Sequence, residues 1–123
     1  MSKIIELKNF SDARGSLIAV QSELPFQIKR VFFIFDVPAG VERGGHRHKV
    51  TQLALICLNG SCDIDIDNGL ETKVIRLDRP TTCLLLSPED FHIMRNFQPQ
   101  SVLLVLANTE YNNEDYIFEA YNT

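Results

Sequence analysis

The amino-acid sequence predicts an all-β protein, built as an antiparallel sandwich or barrel. Short segments rich in β-branched and aromatic residues recur along its 123 residues. Glycine and proline turn signals separate these segments at short intervals, as they do in sandwiches and barrels. No stretch of useful length shows the 3.6-residue period of a helix. The length fits one domain, and we expect residues 1–123 to form it.

The N-terminal half contains three segments with strand character. Residues 4–9 are strand-like, and residues 29–37 are rich in Val, Ile and Phe and end before a proline. Residues 52–58 are mostly apolar and are followed by an Asn-Gly pair at residues 59–60. Because Asn-Gly favours the tight turn of a hairpin, the chain is expected to reverse direction there.

The C-terminal half continues the same pattern. Residues 62–67 alternate Cys or Ile with Asp, which predicts a strand with one buried and one wet face. A second Asn-Gly pair, at residues 68–69, predicts another hairpin. Further strands are predicted at residues 71–77, 82–86, 92–97 and 102–106. The acidic and aromatic tail, residues 111–121, fits either a last strand or a short helical turn.

Composition excludes several classes of function. The longest apolar runs are far too short to cross a bilayer, and the first residues lack the apolar core of a signal peptide. We therefore expect no membrane partner and a cytoplasmic location. The net charge of −4 argues against general binding of nucleic acid. Residues 29–49 nevertheless carry five basic side chains against two acidic ones, which suits a small anionic ligand.

All three histidines lie in two short segments, residues 43–49 and 88–96. On a strand, His46 and His48 would point to the same face, and Gln52 would join them if that strand were continuous. Imidazole titrates near neutral pH and is also the commonest metal ligand. If the two segments meet, the pooled histidines therefore form either a proton-transfer site or a metal site.

These two segments resemble the paired motifs of the cupin superfamily, in which a His-x-His pair is followed later by a single His and an Asn. The resemblance implies a small antiparallel jelly-roll barrel with inward-facing histidines. Gln52 stands where many cupins carry a metal-binding Glu, and an amide is a poor replacement for a carboxylate. We therefore expect no metal and no other cofactor, although three imidazoles are enough to hold zinc or iron.

A wider set of segments resembles one cupin family, the WxcM-like sugar 3,4-ketoisomerases. The segments, in order, are residues 12–17, 25–38, 43–49, 55–61, 102–107 and 115–117. The resemblance implies a metal-free isomerase that converts dTDP-4-keto-6-deoxy-D-glucose into its 3-keto isomer. It also implies a homodimer that serves the biosynthesis of 3-amino-3,6-dideoxy sugars for surface polysaccharides, such as lipopolysaccharide O-antigen or S-layer glycan. An exchanged N-terminal strand, residues 4–9, is the expected means of pairing.

Three departures from the family pattern leave the C4 configuration of the product open. Phe32 and Phe33 replace tyrosines that are common in the family. Gly45 and Arg47 differ from the residues usually found around its histidines, and Phe91 replaces a tryptophan.

The implied chemistry assigns roles to the polar residues. Moving a ketone from C4 to C3 requires a base at C3 and an acid at C4, and imidazole has a suitable pKa for both. We predict His48 as the main base and His46 as its partner. Arg43 and Gln52 are the nearest candidates to hold the enediolate charge.

Binding roles fall to a second group of residues. Arg14, Arg30 and Arg43 are predicted to contact the diphosphate, because guanidinium groups bind phosphate oxygens in pairs. Phe33 is expected to stack on the base or to line the sugar pocket, unless it packs in the core. His92 is predicted to bind or orient the substrate.

Three other functions remain open from the sequence alone. A sugar 3,5-epimerase uses a related barrel and similar proton chemistry. A metal-dependent cupin, either an oxygenase or a regulatory sugar sensor, would use the histidines as ligands. A non-catalytic binding module would need no proton transfer at all.

Overall fold

The computed structural model describes residues 1–121 of the chain. Within that range the structure is almost entirely strand. In chain order the strands are β1 (Lys3–Glu6), β2 (Phe10–Asp12), β3 (Gly15–Leu17), β4 (Arg30–Phe35), β5 (Arg43–His48), β6 (Leu53–Asn59), β7 (Cys62–Asp67), β8 (Thr72–Leu77), β9 (Thr82–Leu86), β10 (Phe91–Arg95), β11 (Val102–Ala107) and β12 (Tyr116–Ile117). A single 3-10 turn, Asn113–Asp115, precedes β12.

Two five-stranded antiparallel sheets pack face to face. The first has the strand order β1-β9-β6-β11-β4, and the second has the order β12-β5-β10-β7-β8. Strands β2 and β3 form a separate hairpin. The prediction of an all-β antiparallel fold is therefore confirmed.

The main core lies between the two sheets and is made of their inward-facing apolar side chains. Its fully buried members come from both sheets and include Leu55, Ile64, Leu77, Leu84, Leu103 and Val105. In β7 the isoleucines point into this core and the aspartates alternate with them, as the sequence predicted, but the aspartate face is not fully wet, because Asp63 is buried. The outward aspartates pair with neighbouring strands, with Arg95 Nε 2.7 Å from Asp65 Oδ2 and Arg76 Nε 3.2 Å from Asp63 Oδ1.

A second apolar cluster covers the outer face of the first sheet. Ala54 and Ile56 of β6 and Leu106 of β11 are buried there beneath Leu7 and Leu24 of the N-terminal segment. A strand buried on both faces has no polar alternation. This explains why residues 53–57 are uniformly apolar.

Three local structures differ from the sequence-based expectation. The Asn-Gly pair at residues 59–60 does not close a hairpin, because β6 and β7 belong to different sheets and the turn carries the chain from one sheet to the other. The hairpin of β2 and β3 was not predicted, because its strands are only three residues long and mostly exposed. Strand β5 ends at His48 and the chain then turns, so Gln52 does not continue the face that carries His46 and His48. The C-terminal tail contains both of the structures considered for it, a helical turn followed by a strand.

No helix within residues 1–121 has the length and apolar character required to cross a membrane.

Candidate active site

A cavity of about 450 Å³ opens between β4, β5, β10 and the segment that follows β11. Its walls combine imidazole, guanidinium and aromatic groups. The lining residues are Arg30, Phe32, Ile34, Glu42, Arg43, Gly44, His46, His48, Leu53, His92, Met94, Tyr111, Asn113, Tyr116 and Phe118. The cavity therefore contains all three histidines of the chain.

The pairing of β5 with β10 brings the two histidine segments together. His46 lies opposite His92 in the register of these strands, and their ring centroids are 4.8 Å apart. His48 lies on the same face of β5 as His46, with its centroid 5.0 Å away. Gly44 permits the close approach, because a Cβ there would lie 2.9 Å from the backbone oxygen of His92.

His48 is buried and held by a carboxylate from the C-terminal segment. Its Nδ1 donates to Asp115 Oδ2 at 2.8 Å, while its Nε2 has no hydrogen-bond partner among residues 1–121. Burial lowers the pKa of His48, and the hydrogen bond to Asp115 opposes that effect only in part. The ring is therefore neutral near pH 7, with Nδ1 protonated and a lone pair on Nε2.

His92 presents a second imidazole with the same tautomer. Its Nδ1 lies 3.0 Å from the backbone oxygen of Asp90, and a carbonyl can only accept. Almost complete burial lowers the pKa of His92 to about 3. Its Nε2 is also buried and has no partner in the described part of the chain. Two unprotonated ring nitrogens on cavity residues are thus left without a hydrogen-bond partner in the described part of the chain.

His46 is less buried than the other two histidines and is surrounded by rings. Burial, followed by repulsion from His48, lowers the pKa of His46 to about 4. Tyr116 packs edge-on against both His46 and His48, with centroid distances of 4.6 and 4.8 Å. The rings of the site therefore support one another's orientation.

Arg30 supplies fixed positive charge on the opposite wall. Its Nη1 donates to the hydroxyl of Tyr116 at a long 3.5 Å, and its guanidinium lies 5.5 Å from the Phe32 ring centroid. Its Nε is buried and makes no hydrogen bond within residues 1–121. A guanidinium with a free donor in a cavity is suited to an anionic or carbonyl oxygen. Arg43 lines the same cavity.

Three residues predicted to bind substrate do not line this cavity. Phe33 alternates with Phe32 along β4 and therefore points outward, where 59% of it is exposed. Gln52 lies beyond the end of β5 and lines a different depression, near β1 and residues 22–26. Arg14 is in the turn between β2 and β3 and pairs with Asp12, with Nη2 2.6 Å from Oδ2. A single chain therefore offers no support for their contact with a substrate in this cavity.

Other residues of the site were missed by the sequence analysis. Asp115, Tyr116, Tyr111 and Phe118 all come from the C-terminal tail, whose acidic and aromatic character was noted without a role. The available signal was the concentration of aromatic and acidic residues in that tail, with three Tyr, one Phe, one Asp and two Glu in residues 111–121. Their proximity to the histidines depends on the pairing of β12 with β5, which no local pattern reveals.

The histidine cluster has a geometry compatible with a transition metal. One nitrogen from each of His46, His48 and His92 lies within 4.8 Å of the others. Three imidazoles suit zinc or iron, and the Nδ1 contacts of His48 and His92 resemble the outer-sphere bonds that orient metal ligands. Because Gln52 is outside the cavity, it does not supply a fourth ligand.

The family model described as "FdtA: WxcM-like, C-terminal" matches residues 1–122. The chain belongs to this family. It is 42% identical over 118 residues to the TDP-4-oxo-6-deoxy-alpha-D-glucose-3,4-oxoisomerase of Aneurinibacillus thermoaerophilus. The aligned region covers 94% of this chain and 85% of that protein. The resemblance drawn from the ordered sequence segments is thereby confirmed.

Solved structures of the family have the same fold. A 3,4-ketoisomerase from Helicobacter canadensis superposes with a TM-score of 0.93 at 40% identity, covering 96% of this chain and 90% of that one. A mutant of the 3,4-ketoisomerase QdtA from Thermoanaerobacterium thermosaccharolyticum, solved in complex with TDP-4-keto-6-deoxyglucose, gives 0.93 at 37% identity, covering 96% and 87%. The predicted cupin-type jelly roll is therefore confirmed for this FdtA/WxcM-like chain.

Proposed function

We propose that this chain is a nucleotide-sugar 3,4-ketoisomerase that moves the ketone of TDP-4-keto-6-deoxyglucose from C4 to C3. Its relatives bear that activity in their names, and one was solved with this keto sugar. The observation that carries the proposal is the state of His48. It is a buried, neutral imidazole in the cavity, anchored through Nδ1 and unpartnered at Nε2 within the described chain.

The reaction transfers hydrogen without net oxidation. A base removes the proton on C3 while the C4 oxygen gains a proton, which produces an enediol. The C3 hydroxyl then loses its proton and C4 gains one, so that the ketone is at C3 and C4 bears a hydroxyl. His48 acts as the base at C3 in our proposal, and His46 exchanges protons with the sugar oxygens.

The other polar groups suit the charge that develops during this reaction. Arg30 has an unused buried donor and is placed to stabilise the enediolate oxygen. His92 has a lone pair on Nε2 and can accept a hydrogen bond from a sugar hydroxyl. Arg43 is the remaining cavity arginine and is our candidate for the diphosphate. Arg30 therefore replaces Gln52 as a residue that we expect to stabilise the enediolate, because Gln52 lies outside the cavity.

We propose that the proton transfers proceed without a metal ion. A divalent ion held by His46, His48 and His92 would supply Lewis acidity, but it would occupy the nitrogens that the proton transfers require. The two cavity arginines provide positive charge at fixed positions instead.

The test is product identification by NMR after incubation with TDP-4-keto-6-deoxyglucose in heavy water. We expect a 3-keto product from protein that has been dialysed against a chelator. Exchange at C5 without migration of the ketone would identify a 3,5-epimerase. Activity that is lost on chelation and restored by iron or zinc would overturn the metal-free mechanism.

We further propose that the chain forms a homodimer. The outer face of β4 supports this, because Val31, Phe33 and Phe35 are each more than half exposed. In a single chain β1 pairs with β9, and an exchanged N-terminal strand would make the same pairing between two chains. Light scattering should give twice the 14.0 kDa chain mass. A chain that remains monomeric at all concentrations would contradict the dimer.

The cytoplasmic location and the role in O-antigen or S-layer sugar biosynthesis stay predictions. The biosynthetic role depends on the reaction proposed above, since a 3-keto sugar is the substrate that an aminotransferase would need to make a 3-amino sugar.

A further inference from the structure

Asp115 is the most heavily bonded carboxylate in the vicinity of the cavity. It is buried at the end of the 3-10 turn and is 67 residues away from His48 in the chain. Its Oδ2 accepts from His48 Nδ1 and from the hydroxyl of Thr51. Its Oδ1 accepts from the backbone nitrogens of Lys49 and Val50, at 3.1 and 2.8 Å. Four donors therefore point at one carboxylate.

This arrangement dictates the ionisation of Asp115. Burial by itself disfavours the charged form, but the hydrogen bonds from Thr51, Val50 and His48 outweigh it and lower the pKa of Asp115. An ionised carboxylate can only accept hydrogen bonds. The proton of neutral His48 must therefore be on Nδ1, which leaves the lone pair on Nε2.

The backbone around Asp115 also attaches the C-terminal segment to the strand that carries the base. The backbone nitrogen of Lys49 donates to the backbone oxygen of Asp115 at 2.9 Å, and Tyr116 pairs with His48 in the register of β12 and β5. Because these contacts hold both the ring and the strand, the imidazole has one orientation as well as one tautomer.

We propose that Asp115 is the positioning residue for the base, fixing the tautomer and direction of His48 without touching the substrate. The expected effect of Asp115 on turnover rests on the proposed ketoisomerase function, whereas its effect on the tautomer of the His48 ring does not. Asp115 does not line the cavity, which agrees with an action through His48 alone.

The substitution Asp115→Asn is designed to change the tautomer while keeping the local fold. The retained oxygen can still accept from the nitrogens of Lys49 and Val50. Thr51 also contacts the hydroxyl of Thr109 at 2.7 Å, so its hydroxyl can rotate to accept from the new amide and donate to Thr109. The second amide hydrogen then faces His48 Nδ1, which must give up its proton. Nε2 becomes protonated and cannot act as a base.

The experiment combines nitrogen NMR of the His48 ring with steady-state kinetics on TDP-4-keto-6-deoxyglucose. We expect an unprotonated Nε2 in the parent protein and a protonated Nε2 in Asp115→Asn. The value of kcat should fall about 10²- to 10⁴-fold, the usual contribution of a general base, with little change in KM. A variant with an unchanged ring tautomer or an unchanged kcat would overturn the proposal.

Asn112→Ala provides the matched control. Asn112 Oδ1 caps the same turn by accepting from Glu114 N at 3.0 Å, and it does not contact His48. A merely structural role for this turn predicts that both variants lose turnover together, which would contradict the proposal. If Asp115→Asn does not fold, the ring spectrum of the parent protein decides, because protonated Nε2 there would refute the assignment. Absence of turnover in the parent, with the expected tautomer, would refute only the ketoisomerase function.

Discussion

The two faces of β4 differ in chemistry although they alternate along the same six residues. Arg30, Phe32 and Ile34 face the cavity, where they meet imidazoles and tyrosines contributed by distant segments. Phe33 and Phe35 face outward and are more than half exposed. The comparison shows that the alternation of faces along a strand decides which residues line the cavity, whereas residue type alone does not.

The largest expected effect in this comparison comes from the charged residue on the inner face. Arg30→Met removes the free donor in the cavity, and kcat/KM for the keto sugar should fall about 10²- to 10³-fold, as for loss of one oxyanion donor. Arg76→Met is the control, because Arg76 lies on the outer face of the second sheet beside Asp63. Equal turnover in the two variants would show that the inner face is not the site.

A smaller effect is expected from the matched phenylalanines. Phe32→Ala removes an apolar wall of the cavity, and complete burial of such a side chain is worth about 1.5–3 kcal/mol. Its kcat/KM should therefore fall about 10- to 100-fold. Phe33→Ala should keep turnover close to that of the parent, since Phe33 faces away from the cavity. A larger loss in Phe33→Ala than in Phe32→Ala, measured on the same substrate with protein that light scattering shows to be in the parental oligomeric state, would mean that Phe33 and not Phe32 faces the substrate.

The last prediction concerns the pH dependence of stability rather than turnover. The pKa of His92 is about 3 in the folded chain, below the value of 6.5 for a free histidine. Below pH 6.5 the unfolded chain therefore binds a proton that the folded chain does not. The free energy of unfolding should fall as the pH decreases, by at most about 1.4 kcal/mol per pH unit for this histidine.

Urea denaturation of the parent and of His92→Asn between pH 7 and pH 4.5 measures this contribution. The variant should show a shallower pH dependence, while His46, with a pKa of about 4, continues to contribute in both proteins. Identical slopes would mean that His92 is protonated in the folded state or does not titrate on unfolding.

Much of the fold could be predicted from local patterns. The Asn-Gly pair at residues 68–69 marks a real hairpin between β7 and β8, and the aspartates of β7 alternate with its core residues as expected. These features depend on neighbouring residues, so the sequence contains the information directly. The pair at residues 59–60 does turn the chain, but it leads from β6 in the first sheet to β7 in the second, so the hairpin predicted there is wrong. The β2–β3 hairpin lacked such a signal, because short exposed strands have no hydrophobic pattern.

The candidate site was predictable only in part. Its three histidines could be grouped from their spacing and from the family resemblance. To place Phe33 and Gln52 correctly, one must know which residues of β4 point inward and at which residue β5 ends. A shift of one residue along a strand moves a side chain to the opposite face, and local sequence does not fix these positions so finely. Asp115 could not be assigned because its role depends on a contact between segments 67 residues apart.

The most direct test of the account compares His48→Asn with His46→Asn in heavy water. Proton NMR follows the C3 proton of TDP-4-keto-6-deoxyglucose, and TDP binding establishes that each variant retains the site. We predict that the parent loses the C3 proton as the ketone migrates, whereas His48→Asn binds TDP and retains that proton. Removal of the C3 proton by His48→Asn at the parental rate would contradict the assignment of His48 as the base.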